Sequence, residues 1–220
     1  MARGARPVVG WALLAACAVL AVAVALGLTQ SLDERLRDAF RPGDAWGPLQ
    51  VRVDVVVEGL KPVRTLPAFA VLVIVLAVAR RSWDPLQYAA VLLVAAGLPA
   101  AVVKVALART DPHHELSSVG SFPSGHVLVL VLCAGGALLL LRSAPSWWEW
   151  LAVGALGTVM AFSLLVQAAH WFTDVLGGAL LAGAVLLLVR PSVVAGRARP
   201  PDDGAVSPGQ PRSAAAPPSP

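Results

Sequence analysis

The chain has 220 residues, 57% of them hydrophobic and 14% charged, with 17 Lys and Arg against 13 Asp and Glu for a formal net charge of +4. Soluble domains carry about 25% charged residues, so this composition, with a mean hydropathy of +0.74, excludes an ordinary globular protein and indicates a membrane protein. The basic excess fits cytoplasmic loop bias, and no basic stripe argues for a nucleic-acid partner.

Crossing the hydrocarbon core takes roughly 20 helical residues. The first apolar run, 8–28, follows Arg3 and Arg6 and exceeds the signal-peptide core of about 7–15 residues, which predicts an uncleaved anchor. Residues 30–64 mix acids and bases, with Leu32, Leu36 and Phe40 at helical spacing, and predict short amphipathic helices lying on the bilayer surface. A second span covers 65–79 and reaches full length if it starts near Pro62. The third, 85–108, carries Gly97, Pro99 and Lys104. A polar loop at 110–122 precedes the fourth span at 123–141, the fifth at 148–168 and the sixth at 171–189. Cys17 and Cys133 lie alone inside apolar runs, with no CxxC pair or ligand cluster around them, and read as small core or lipid-facing residues. The tail, 191–220, is rich in Pro, Ala, Ser and Gly and is expected to be disordered. The expected fold is all-α: a short N-terminus at 1–7, one six-helix membrane domain over 8–190 with an extracytoplasmic amphipathic segment at 29–64, and the tail.

Orientation follows from the basic residues. With both termini in the cytoplasm, that side holds Arg3, Arg6, Arg80, Arg81, Arg142, Arg190, Arg197, Arg199 and Arg212, opposed by Asp84, Glu149, Asp202 and Asp203, as the positive-inside rule expects. Lys104, the 110–122 loop, His126, His170 and Asp174 then fall on the outer side of the cell membrane.

Three constellations could carry chemistry. In Phe122-Pro123-Ser124-Gly125-His126, Pro123 suits a first helical turn. Ser124 and Gly125 would present free amides at the positive helix end, where an anion can approach, with His126 beside them as a proton donor. The same tetrapeptide also reads as a plain helix start whose histidine faces the interface. His170 and Asp174 stand four apart in HWFTD; on a helix the carboxylate can hold one imidazole nitrogen while the other faces a substrate, although such pairs are also satisfied structurally. Lys104 lies within an apolar span, where a cation usually has a functional partner or snorkels to the interface, and Arg109 follows it. Two cations facing an anion-binding helix start suggest a phosphate clamp. The run DPHHE, 111–115, offers metal-ligating residue types, but adjacent histidines point in different directions, so no metal site is expected.

Lys104, PSGH at 123–126 and the pair His170 and Asp174, in that order, resemble the type 2 phosphatidic acid phosphatases, a superfamily that also contains vanadium haloperoxidases. The resemblance implies that His170 attacks phosphorus and forms a phosphohistidine, that Asp174 orients it, and that His126 protonates the leaving oxygen. Lys104, Ser124 and Gly125 would hold the phosphate oxygens, with no cofactor and no metal. Such chemistry depends on in-line positioning and spread positive charge. The implied substrate is a lipid phosphate or polyprenyl diphosphate, reached from the bilayer.

This chain departs from the family pattern twice. The seventh position after Lys104 is Asp111 where the family has arginine, and Ser163-Leu164 stands where the family has Ser-Arg. On an ideal helix residue 111 shares the face of Lys104 and residue 109 is rotated by roughly 140°. Arg109 can therefore join the phosphate clamp only if the helix unwinds before it, which Thr110-Asp111-Pro112 permits. The alternative is a weakened relative that binds lipid phosphates or a partner without turnover. A transporter would need charges that cross the midplane, and haloperoxidase chemistry would need the missing arginines.

Overall fold

The computed structural model describes residues 5–113 and 120–191. His114, Glu115 and the tail beyond residue 191 lie outside the described residues, so the DPHHE run is described only as far as His113. All regular structure among the described residues is helical: α1 (Ala5–Ala25), α2 (Gln30–Phe40), a short 3-10 turn (Pro42–Asp44), α3 (Pro48–Leu60), α4 (Pro62–Arg80), α5 (Asp84–Leu107), α6 (Gly125–Leu141), α7 (Trp147–Val166) and α8 (Phe172–Leu188).

The punctuation is local. Pro48, Pro62 and Pro85 stand in the first turns of α3, α4 and α5, where a missing N–H costs nothing. Ser146 and Glu149 form a capping box at the start of α7, the Ser146 amide donating to Glu149 Oε2 at 2.7 Å. Helix α5 stops at Leu107 because Ala108 is left-handed, with φ of 43°, and its N–H turns back to the Lys104 carbonyl at 2.9 Å. The unwinding that Arg109 requires is therefore present.

Four helical stretches are long and apolar enough to cross a membrane: α1, the nearly continuous α3 and α4, α5 and α7. Helices α6 and α8 are apolar but have only 17 residues each, about 25 Å at 1.5 Å per residue. These two form the centre. Helix α6 packs against α4, α7 and α8, while α1 runs along α8 and α3 along α7. Tyr88, Leu92, Leu132 and Ala182 bury one core, and Val127, Leu130, Met160, Leu164 and Val175 bury a second directly behind the starts of α6 and α8. The free thiols of Cys17 and Cys133 are both buried. Outward faces carry exposed Val8, Trp11, Val19, Leu98 and Val105, as expected where the solvent is lipid.

Helix α2 turns polar as well as apolar residues inward, with Phe40 packed on the second core and edge-on against Phe162. Asp33 and Arg41 are buried, whereas Leu32 is 48% exposed, so the polar stripe at spacing four faces the bundle. Arg41 donates to the Gln167 carbonyl at 2.5 Å, and Gln50 donates to the Val166 carbonyl at 3.4 Å. Both satisfy acceptors that the C-terminal end of α7 leaves open.

Candidate active site

The two short central helices begin side by side. The Ser124 amide donates to the Asp174 backbone carbonyl at 2.9 Å. A Cβ on Gly178 would lie 2.6 Å from the Ser124 carbonyl, so only glycine permits this approach of α8 to α6. It brings together the histidines: the rings of His126 and His170 stand edge to face with centroids 5.8 Å apart. At the start of α6 the amides of Gly125, His126 and Val127 precede the first intrahelical bond, Leu128 to Ser124 at 3.1 Å, and are the open donors of the helix end. A Cβ at Gly125 would meet nothing within 4 Å, so the space before these amides is clear. The Ser124 amide does not belong to this group, contrary to the expectation that it is free for an anion. The Ser124 hydroxyl is buried without a hydrogen-bond partner among the described residues.

His170 donates through Nδ1 to Asp174 Oδ2 at 3.3 Å, and the same oxygen accepts the Trp171 amide at 3.1 Å. That arrangement fixes the tautomer: the proton sits on Nδ1 and the lone pair on Nε2. The His170 side chain is 12% exposed and Asp174 is fully buried, so the ring is reachable while the group that orients it is not.

Arg109 lies behind this pair. Its Nη1 donates to Asp174 Oδ1 at 2.7 Å and to the Thr173 hydroxyl at 2.8 Å, and its Nη2 donates to Asp33 Oδ2 at 2.7 Å. Its guanidinium also stacks over the Trp171 ring, 5.3 Å from the centroid. Three of its five N–H groups are thus committed to protein acceptors. Asp33 in turn accepts the Thr173 amide at 3.0 Å and the Thr173 hydroxyl at 2.7 Å. One cation between two buried carboxylates leaves this network formally one charge negative.

Lys104 donates through Nζ to the Gly120 carbonyl at 2.9 Å and the Ser121 carbonyl at 3.3 Å, keeping one N–H in reserve. Gly120 has φ of 76°, and a Cβ there would lie 2.6 Å from the Lys104 carbonyl, which pins the return of the 110–122 segment against the end of α5. Ser121 completes the seam, its amide donating to the Arg109 carbonyl at 2.9 Å and its hydroxyl to that of Thr110 at 3.1 Å. Asp111 accepts the His113 amide at 2.9 Å, and Leu164 is buried in the second core. No group of three or more His, Cys, Asp or Glu among the described residues is placed to hold a metal.

The PAP2 superfamily matches residues 85–198, just over half of the chain, and takes in Lys104, both histidines and Asp174. The chain belongs to the PAP2 superfamily. Its fold is also that of the crystal structure of the first transmembrane PAP2 type phosphatidylglycerolphosphate phosphatase from Bacillus subtilis, with a TM-score of 0.72 and 22% identity over 86% of this chain and 97% of that one. No curated protein matches the chain. This PAP2 protein is a membrane protein and a phosphatase of that family's type.

Asp33 was not legible as a member of the site. Its spacing to Arg37 and Arg41 shows only a polar stripe on an amphipathic helix, which points to water by default. The signal that could have raised it is the pairing need of Arg109, a cation near the end of an apolar span with no acid three or four residues away, since Asp111 at i+2 would not face it on a helix.

Proposed function

We propose that this PAP2 protein hydrolyses a lipid phosphate or diphosphate through a phosphohistidine on His170. The observation that carries the reading is the facing pair of histidines at the joined starts of α6 and α8, with His170 oriented by buried Asp174. In the first step the Nε2 lone pair of His170 attacks phosphorus, the bond from phosphorus to the ester oxygen breaks, and protonated His126 gives its proton to the leaving oxygen. In the second step His126 takes a proton from water as the water oxygen attacks phosphorus, and the N–P bond breaks to release phosphate. The amides of Gly125, His126 and Val127, the Ser124 hydroxyl and the remaining N–H of Lys104 are the donors for the phosphoryl oxygens. We assign Arg109 to positioning Asp174; its uncommitted N–H groups can still add charge to the clamp.

The six apolar helices are taken as six spans, with both termini cytoplasmic and the site at the outer leaflet of the cell membrane, on the strength of the arginine distribution. Phosphatidate, phosphatidylglycerol phosphate and polyprenyl diphosphate share the required terminal phosphate on a lipid. Phosphate release from these three by the purified protein, beside His170→Ala, is the test. Release that disappears in His170→Ala supports the reading, and release that persists in it refutes the phosphohistidine.

A further inference from the structure

At the end of the bundle opposite His170, α1, α6, α7 and α8 enclose a groove of about 530 Å³. Arg6, in the first turn of α1, and Arg190, two residues past α8, both line it, together with Trp147 and Trp150 at the start of α7. Further along the helices its walls are Val131, Gly154 and neighbouring apolar residues. The groove thus has a doubly cationic end and an apolar remainder.

Two other arginines at this end are occupied, Arg142 pairing with Glu149 at 3.1 Å and Arg80 donating to the Leu140 carbonyl at 2.7 Å, while Arg81 is exposed and does not line the groove. Arg6 and Arg190 have neither an ion pair nor a hydrogen bond among the described residues. Burial first, and then the charge of Arg6, hold the Arg190 guanidinium below its usual range, which places the two guanidinium groups near one another. Two neighbouring guanidinium groups match one phosphodiester. The apolar walls offer a soluble anion nothing, but they suit an acyl chain. Exposed Trp147 and Trp148, stacked with centroids 3.4 Å apart, add the aromatic residues that favour a membrane interface.

We infer that this groove binds an anionic phospholipid, its phosphate between Arg6 and Arg190 and one acyl chain along Val131 and Gly154. The site is separate from the catalytic residues and does not depend on the phosphohistidine.

The test is lipid retention by the delipidated full chain in detergent, read by native mass spectrometry. The probes are phosphatidylglycerol, which has no terminal phosphate to hydrolyse, and phosphatidylcholine. Phosphatidylglycerol is expected to bind more tightly, and Arg6→Gln with Arg190→Gln to weaken it roughly thirtyfold, from about 1 kcal/mol per basic residue near an anionic lipid. Gly154→Phe fills the groove by another route, because a Cβ at Gly154 meets nothing within 4 Å; it should abolish retention while phosphate release persists. Equal retention of the two lipids, or undiminished phosphatidylglycerol in either variant, overturns the proposal. Displacement of the lipid by free glycerophosphoglycerol at equal concentration overturns it in favour of a soluble anion.

Discussion

Replacing Asp33 with alanine tests the network behind His170. Fully buried Asp33 accepts three hydrogen bonds, two from Thr173 and one from Arg109. Alanine leaves a guanidinium that is only 10% exposed with a single carboxylate partner, and an unpaired amide in the first turn of α8. Removing one partner of a buried ion pair costs about 3–5 kcal/mol. At roughly 2–4 °C per kcal/mol for a chain of this size, the unfolding midpoint in detergent should fall by about 6–20 °C. Asp33→Asn keeps an acceptor for the Thr173 amide and loses the charge, so about 1.5–3 kcal/mol is expected, the range for a hydrogen bond to a charged group. In both variants Arg109 turns its full charge on Asp174, weakening the oxygen that holds His170. Because the Asp33 carboxylate bonds to Arg109 and Thr173 and to none of the groups assigned to the phosphoryl oxygens, kcat should fall about tenfold, the equivalent of 1.4 kcal/mol in the barrier, with KM for the lipid unchanged. Thermal unfolding and steady-state phosphate release decide it. An Asp33→Ala protein that melts within 2 °C of the native one (roughly 1 kcal/mol or less) and keeps its kcat would refute the reasoning.

Arg109→Lys should lose turnover nearly as far as Arg109→Ala, because one ammonium cannot bridge Asp33 and Asp174 as the planar fork does; full rescue by lysine in the same release assay would show that charge alone suffices. Gly178→Ala places a methyl 2.6 Å from the Ser124 carbonyl and should destabilise by about 1–3 kcal/mol through overpacking while lowering kcat, since it moves His126 away from His170. Unaltered melting and turnover would mean that α6 and α8 part there at no cost.

Apolar periodicity carried most of the fold. Each of the six long hydrophobic runs lies on a helix, and Pro48, Pro62, Pro85 and the Ser146 capping box mark starts that depend only on neighbours in sequence. PSGH and HxxxD were readable as motifs because their residues are neighbours in sequence, but their placement differs from the expected one: α6 begins at Gly125, leaving Pro123 before the helix, and α8 begins at Phe172, so His170 reaches Asp174 from outside the helix they were expected to share. What the sequence hid is non-local. Asp33 meets Arg109 from 76 residues away and Thr173 from 140, and no local pattern records such a meeting. The burial of Asp33 and Arg41 was hidden for a different reason: in a bilayer Leu32 can face lipid, so an exposed apolar residue and a buried charge can share one helix. The Ser124 amide was misjudged because its acceptor, the Asp174 carbonyl, belongs to another helix.

The charge of Arg109 also constrains how the chain can be assembled. Its two carboxylates come from opposite ends of the chain, one 76 residues earlier and one 65 later. During synthesis Asp33 is available long before Arg109, but Asp174 emerges last, with α8. Until that helix enters, the guanidinium has one of its two carboxylate partners. Arrival of α8 therefore completes the partners of Arg109 and gives His170 its orienting carboxylate through the same residue, Asp174. The segment matched by the family, beginning at residue 85, excludes Asp33, so the network that holds Arg109 and Asp174 extends beyond the unit that family resemblance delimits.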